Sequence, residues 1–145
     1  MTPTLYGRWQ TRLFLLATIG VLVSLPFVLG VWGVPASSVY LWIVFYVGLF
    51  GIAWDVLYNA LQKFMWDHDW PGVFQFFAAI AEGAILILLI KTIGLPYIAS
   101  VEVPLTLFAW HYASVSIAAY LASWAIMRLL FPQWRFRGGQ WLGRW

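Results

Sequence analysis

Hydrophobic residues occur along the chain in long runs, and short clusters of polar, glycine and proline residues separate one run from the next. The runs cover about residues 13–33, 39–61, 72–90 and 103–127. Each run holds about 19 to 25 residues, and a helix of that length crosses a hydrocarbon core of about 30 Å. The pattern therefore predicts an all-α integral membrane protein with four transmembrane helices.

The breaks between these runs are short and carry signals for helix ends. Pro35 and residues 36–38 precede the second run. Asp69 is placed to cap the third helix, with Pro71 in its first turn. Short connections leave room only for antiparallel neighbours. We therefore expect one domain over residues 1–145: an up-down antiparallel four-helix bundle followed by a basic, aromatic interfacial segment, residues 131–145.

Composition excludes the ordinary soluble classes. The chain is 63% hydrophobic and 20% aromatic but only 9% charged, whereas soluble domains carry about a quarter charged residues. Its mean hydropathy is +0.85. The absence of cysteine excludes a disulfide framework, thiolate metal sites and thiol catalysis.

The basic residues are distributed unevenly over the predicted connections. Lys91 alone falls on one side, and seven fall on the other. Since Lys and Arg favour the cytoplasmic side, we expect both termini there, in a bacterial inner membrane or a comparable energy-transducing membrane. This orientation explains the positive net charge of the chain, so we expect no nucleic acid partner. The seven residues are Arg8, Arg12, Lys63, Arg128, Arg135, Arg137 and Arg144.

Among the polar residues inside the predicted spans, we assign four to an intramembrane polar set: Asp55, Asn59, Glu82 and His111. An ionisable side chain at bilayer depth costs a few kcal/mol, so we expect these groups to face the bundle interior. Small residues at helical spacing, such as Gly51 near Asp55, permit close helix packing. Two interpretations stay open, namely interhelical hydrogen bonding and a ligand pocket or proton path. Three different depths do not favour a metal site.

The C-terminal segment mixes tryptophan with arginine, a combination typical of the membrane interface. We expect its aromatic side chains at headgroup level and its arginines on anionic lipid headgroups. Docking on an acidic partner subunit is the alternative. The residues assigned to this interface are Trp134, Arg135, Arg137, Trp141 and Arg144.

Eleven tryptophans exceed what two interfacial belts need. Some of them are therefore candidates to line a site for a flat apolar molecule. The sequence identifies no cofactor, and the candidates are a bound lipid, a quinone or a pigment.

No motif assigns a reaction, and the catalytic residues stay unknown. We expect a small non-catalytic membrane subunit or assembly factor, in contact with the bilayer and either self-associated or bound to partner membrane subunits. One alternative is an oligomeric transporter or proton-coupled carrier that uses Asp55, Glu82 and His111. Another is an enzyme that acts on a lipid or isoprenoid through a buried carboxyl group.

Overall fold

The computed structural model describes residues 3–143, and the regular secondary structure in this range is helical. Within it, four helices are long and apolar enough to cross a membrane: Leu5–Leu29, Val39–Gln62, Gly72–Thr92 and Leu105–Leu130. No residue of the described range lies in a β-strand, although an isolated bridge pairs Leu95 with Ile98. The prediction of an all-helical chain with four long apolar helices is confirmed.

The first helix begins at Leu5, well before the predicted boundary near residue 13. Thr4 caps it, since its hydroxyl accepts a hydrogen bond from the Gly7 backbone N–H at 3.1 Å. The helix widens into a π-turn over Leu16–Gly20 and continues through Pro26. Polar residues that the hydropathy pattern leaves outside the helix therefore form its first two turns.

The other helix ends lie close to the predicted ones. The third helix starts at Gly72 with Pro71 in the cap position and no side-chain cap, so the predicted cap at Asp69 is wrong. The fourth helix is interrupted at Ala125, where φ is −102° and ψ is −67°, and resumes as Ile126–Leu130. A short 3₁₀ helix, Trp134–Arg137, follows.

Apolar side chains fill the space between the helices and also cover much of the outside. The largest cluster joins all four helices through buried side chains such as Phe27, Ile43 and Phe108. On the outside, Leu22 and Phe77 are both 61% exposed. The outer surface is therefore apolar as well, which is uncommon for a protein surrounded by water.

The C-terminal segment folds back along the start of the first helix. The Thr4 backbone N–H donates to the Gly138 carbonyl at 2.8 Å, and the Thr11 hydroxyl donates to the Gly139 carbonyl at 2.8 Å. A Cβ atom on Gly7 would collide with the backbone of Gly138 and Gly139. Glycine at position 7 therefore lets the two chain ends touch.

Candidate functional site

Arg12 bridges the two carboxylates that lie inside the predicted spans. Its Nε and Nη2 atoms donate to Asp55 Oδ2 and Oδ1, both at 2.9 Å. Its Nη1 and Nη2 atoms donate to Glu82 Oε2 at 2.8 Å and Oε1 at 3.1 Å. The guanidinium group therefore binds each carboxylate through two hydrogen bonds, the strongest geometry for this pair of groups.

The three residues belong to three different helices. Arg12 lies on the first, Asp55 on the second and Glu82 on the third. Asp55 is 3% exposed and Glu82 is 8% exposed. We call Arg12, Asp55 and Glu82 the charged cluster. The cluster connects three helices through buried charged groups. Breaking its contacts therefore leaves a buried charge without its partner.

Gly51 makes room for the arginine. A Cβ atom at this position would lie 2.6 Å from the Cδ atom of Arg12. Gly51 lies one helical turn from Asp55, on the small-residue face that the sequence shows. The glycine therefore lets the guanidinium group reach both carboxylates across the second helix.

A second arginine lies one turn before the first. Arg8 donates from Nη2 to Gln62 Oε1 at 2.8 Å, and its guanidinium carbon lies 4.6 Å from the centre of the Trp70 ring. Gln62 in turn donates to the His68 carbonyl at 2.6 Å, which connects Arg8 to the loop after the second helix. Formal charges in this region sum to zero over Arg8, Arg12, Asp55 and Glu82.

Asn59, the remaining polar residue of the second span, lies one turn beyond Asp55 and is half-buried. Its side chain makes no hydrogen bond to any other residue of the described range 3–143. The structure therefore places Asn59 beside the charged cluster and outside its hydrogen-bond network.

His111 lies in a separate pocket. It is fully buried, and its Nε2 atom lies 2.8 Å from the Ser24 hydroxyl. That hydroxyl donates its proton to the Gly20 carbonyl at 2.7 Å, so it can only accept from the histidine. The rings of Phe27 and Tyr40 pack against the imidazole, with centroids 5.0 and 5.1 Å away. We call His111 and Ser24 the histidine pair.

An apolar layer separates the charged cluster from the histidine pair. Arg12 and Ser24 are twelve residues apart on one helix, which corresponds to about 18 Å. Between them, buried side chains of Leu16, Val44 and Val115 pack together. The structure therefore brings Asp55 and Glu82 together through Arg12 and leaves His111 apart from both.

The C-terminal residues assigned to the interface occupy different environments. Trp134 is buried, and its indole N–H donates to the Thr11 hydroxyl at 2.8 Å. Trp141 donates to the Gln10 carbonyl at 3.1 Å. Arg135 is exposed, and Arg137 is half-exposed. Arg144 lies outside the described residues.

Sequence reasoning missed the role of Arg12, which it placed at the membrane surface. A signal for this role was present. Arg8, Arg12 and Leu15 share one face at helical spacing, and Thr4 is a good capping residue upstream. Such a pattern indicates a helix that starts before the apolar run and carries its arginines inward.

No family model, curated protein or solved structure matches this chain. The part of the chain that the structure describes also contains no group of three His, Cys, Asp or Glu side chains arranged to hold a metal ion. The function is therefore inferred from the geometry of the charged cluster, the histidine pair and their surroundings.

Proposed function

We propose that the chain is an integral membrane protein whose four long helices, as described over residues 3–143, cross the bilayer as an up-down antiparallel bundle. The apolar outer surface supports this, since it needs hydrocarbon around it. The contacts between neighbouring helices have an antiparallel pattern: residue numbers rise along one helix while the numbers of their partners fall along the other. These pairs are Trp9 with Ile52, Phe27 with Tyr40, Gly72 with Trp124 and Gly83 with Tyr112.

Both termini are proposed to face the cytoplasm of a bacterial inner membrane or a comparable energy-transducing membrane. Arg8 and Arg12 take part in internal contacts and add little to the surface charge. The remaining basic residues still favour this orientation, with Lys91 alone on the opposite side. These residues are Lys63, Arg128, Arg135, Arg137 and Arg144.

Cysteine labelling tests this placement, because the chain contains no cysteine of its own. Ser38→Cys lies in the first connection and Gln133→Cys in the C-terminal segment, and both positions are exposed. In intact bacteria, a membrane-impermeant maleimide should label Ser38→Cys only, and lysis should make Gln133→Cys reactive. Labelling of both variants in intact cells would refute the proposed orientation.

We propose a non-catalytic role, as a membrane subunit or assembly factor. The observation that carries this proposal is the bidentate pairing of Arg12 with both carboxylates. A general acid or a proton carrier must exchange protons during its cycle, whereas both oxygens of each carboxylate here already accept a hydrogen bond from the same guanidinium group. The charged cluster therefore has the properties of a structural tie between helices.

The two alternatives have less support. A proton-coupled carrier that uses Asp55, Glu82 and His111 needs a path between them, and the layer of Leu16, Val44 and Val115 lies across it. An enzyme acting on lipid needs a free carboxyl group next to its substrate. Flux measurements test the carrier directly. Vesicles that contain the unmodified chain should show the same proton flux as protein-free vesicles, and so should vesicles that contain the Glu82→Gln variant.

Partner association is tested by native extraction. The tagged chain is taken from its own membrane with a styrene–maleic acid copolymer, which keeps surrounding lipid, and its components are identified by mass spectrometry. We expect a second membrane subunit in stoichiometric amount, or a homo-oligomer. A monomer without a partner would contradict the role as a subunit or assembly factor.

A further inference from the structure

An apolar groove runs between the second and third helices and ends at the charged cluster. Its volume is about 600 Å³, counted with its open mouth. Its walls are almost entirely apolar, and Glu82 is the charged residue that reaches it. The wall residues are Phe50, Ala53, Trp54, Leu57, Ile85, Leu86 and Leu89. The groove follows each helix for eight residues, 50–57 and 82–89, or about 10 Å.

The Glu82 end of the groove has hydrogen-bonding capacity that the protein does not use. Each Glu82 oxygen accepts one bond from Arg12, although a carboxylate oxygen can accept two. The buried Tyr58 hydroxyl lies beside Glu82 and can donate to one of its oxygens, which leaves the other oxygen with an unused lone pair. A carboxylate edge that faces hydrocarbon is costly unless something donates to it.

The same surroundings limit what can bind. The charges around the cluster already sum to zero, so an ionic or zwitterionic headgroup would add an unpaired charge deep in the bilayer. The apolar walls fit a hydrocarbon chain. A ligand must therefore be uncharged, mainly apolar, and equipped with a single hydrogen-bond donor at one end.

We propose that this groove binds a long-chain aliphatic alcohol, with its hydroxyl group donating to Glu82 and its chain lying against Trp54 and Leu89; the isoprenoid alcohol farnesol is a member of this class. A glycerolipid fits less well, because its headgroup stays at the membrane surface while the donor is needed at the depth of Glu82. This inference rests on the proposed membrane placement. It identifies a ligand class for a groove that the subunit role does not require.

Binding of tritiated farnesol to the purified full-length chain in detergent micelles tests the proposal. Unlabelled farnesol, farnesyl methyl ether and monoolein serve as competitors. The ether has the same chain but lacks the donor, so we expect it to compete about tenfold less well, as the loss of a hydrogen bond to a charged acceptor predicts. Equal competition by the ether, or stronger competition by monoolein, would overturn the proposed ligand class.

Two matched substitutions locate the site. Ala53→Phe fills the groove from a wall residue that is not a member of the charged cluster, and Ala84→Phe adds the same ring at an exposed position outside the groove wall. We expect Ala53→Phe to weaken farnesol binding at least about tenfold and Ala84→Phe to leave it unchanged. If Ala53→Phe fails to fold, Leu57→Trp narrows the groove from the same helix.

Equal binding by the Ala53→Phe and Ala84→Phe variants, or no saturable binding by the unmodified chain, would overturn the proposal. These outcomes are independent of the cysteine labelling, which tests the membrane placement. A correctly inserted chain that does not bind farnesol would therefore refute the ligand site and leave the proposed membrane placement standing.

Discussion

The charged cluster and the histidine pair bury polar groups in different ways. The cluster joins three helices with an arginine between two carboxylates. The histidine pair joins two helices through one hydrogen bond to a hydroxyl that already has its own acceptor. The first arrangement depends most on Arg12, because removing its guanidinium group leaves two buried carboxylates without the counterion that pairs them. The second loses little when one member is replaced.

This difference has a physical basis in desolvation. Removing an ion from water costs several kcal/mol, and only a well-placed counterion offsets that cost. A neutral hydrogen bond contributes about 0.5 to 1.5 kcal/mol net. We therefore expect the two regions to respond very differently to substitution, although both are buried.

The largest effect is expected from Arg12→Leu. The substitution leaves Asp55 and Glu82 facing each other without a counterion, which should lower the free energy of unfolding by about 3 to 5 kcal/mol. Unfolding by sodium dodecyl sulfate in mixed micelles measures the change. Arg128→Leu is the matched control, since Arg128 is exposed and lies over the Trp124 ring.

Two further variants sharpen this result. Arg12→Lys should be intermediate, because an ammonium group cannot form the two-pronged contacts of a guanidinium group. Replacing Arg12, Asp55 and Glu82 together by leucine should restore most of the lost stability. If Arg12→Leu is as stable as Arg128→Leu, the cluster is not the tie between helices that its geometry indicates.

A smaller effect is expected from Gly51→Ala. The new methyl group would lie 2.6 Å from the Cδ atom of Arg12, whose guanidinium group is held in place by both carboxylates. The resulting strain should cost about 1 to 3 kcal/mol in the same unfolding assay. Gly48→Ala is the control on the same helix, since its nearest atom is 3.6 Å away. Equal stability of the two variants would show that the arginine adjusts freely.

Gly7→Ala tests how the C-terminal segment docks on the first helix, independently of the charged cluster. The added methyl group meets the Gly138 backbone, which cannot rotate away, so the segment should detach from the first helix. We expect tryptic cleavage after Arg137 to accelerate roughly tenfold, as local opening eases by more than 1 kcal/mol. Gly143→Ala, whose nearest atom is 3.4 Å away, should cleave at the original rate. A similar rate for both variants would mean that the segment stays docked.

The smallest effect is expected from His111→Leu. Ser24 keeps its hydrogen bond to the Gly20 carbonyl, and leucine suits the apolar surroundings of Phe27 and Tyr40. The free energy of unfolding should therefore change by only about 1 kcal/mol. A loss as large as that of Arg12→Leu would remove the contrast between the two regions and assign His111 a further partner.

The apolar pattern predicted much of the architecture correctly. The helix Val39–Gln62 begins where the sequence predicts, and Gly72–Thr92 starts at the predicted residue. These ends are readable because proline, serine and charged residues punctuate long apolar runs. The start of the first helix could not be read from the sequence, because Arg8 and Arg12 resemble surface residues when hydropathy alone is considered.

The composition of the charged cluster required the tertiary structure. Arg12 lies 43 residues from Asp55 and 70 from Glu82 along the chain, so no local pattern connects them. The sequence showed two carboxylates on apolar helices and a glycine beside one of them. It did not show which cation neutralises them, because that depends on how deeply the first helix sits against its neighbours.

The sequence by itself determined that this chain forms long apolar helices. The backbone hydrogen bonds of a helix form within the helix itself, and the pattern of apolar side chains indicates which surroundings it needs. Only the tertiary structure decided which polar groups meet. It placed Arg12 between two carboxylates, isolated His111 behind an apolar layer, and opened a groove at Glu82. Helix formation is local, whereas charge pairing depends on the distances and rotations between helices that no single segment specifies.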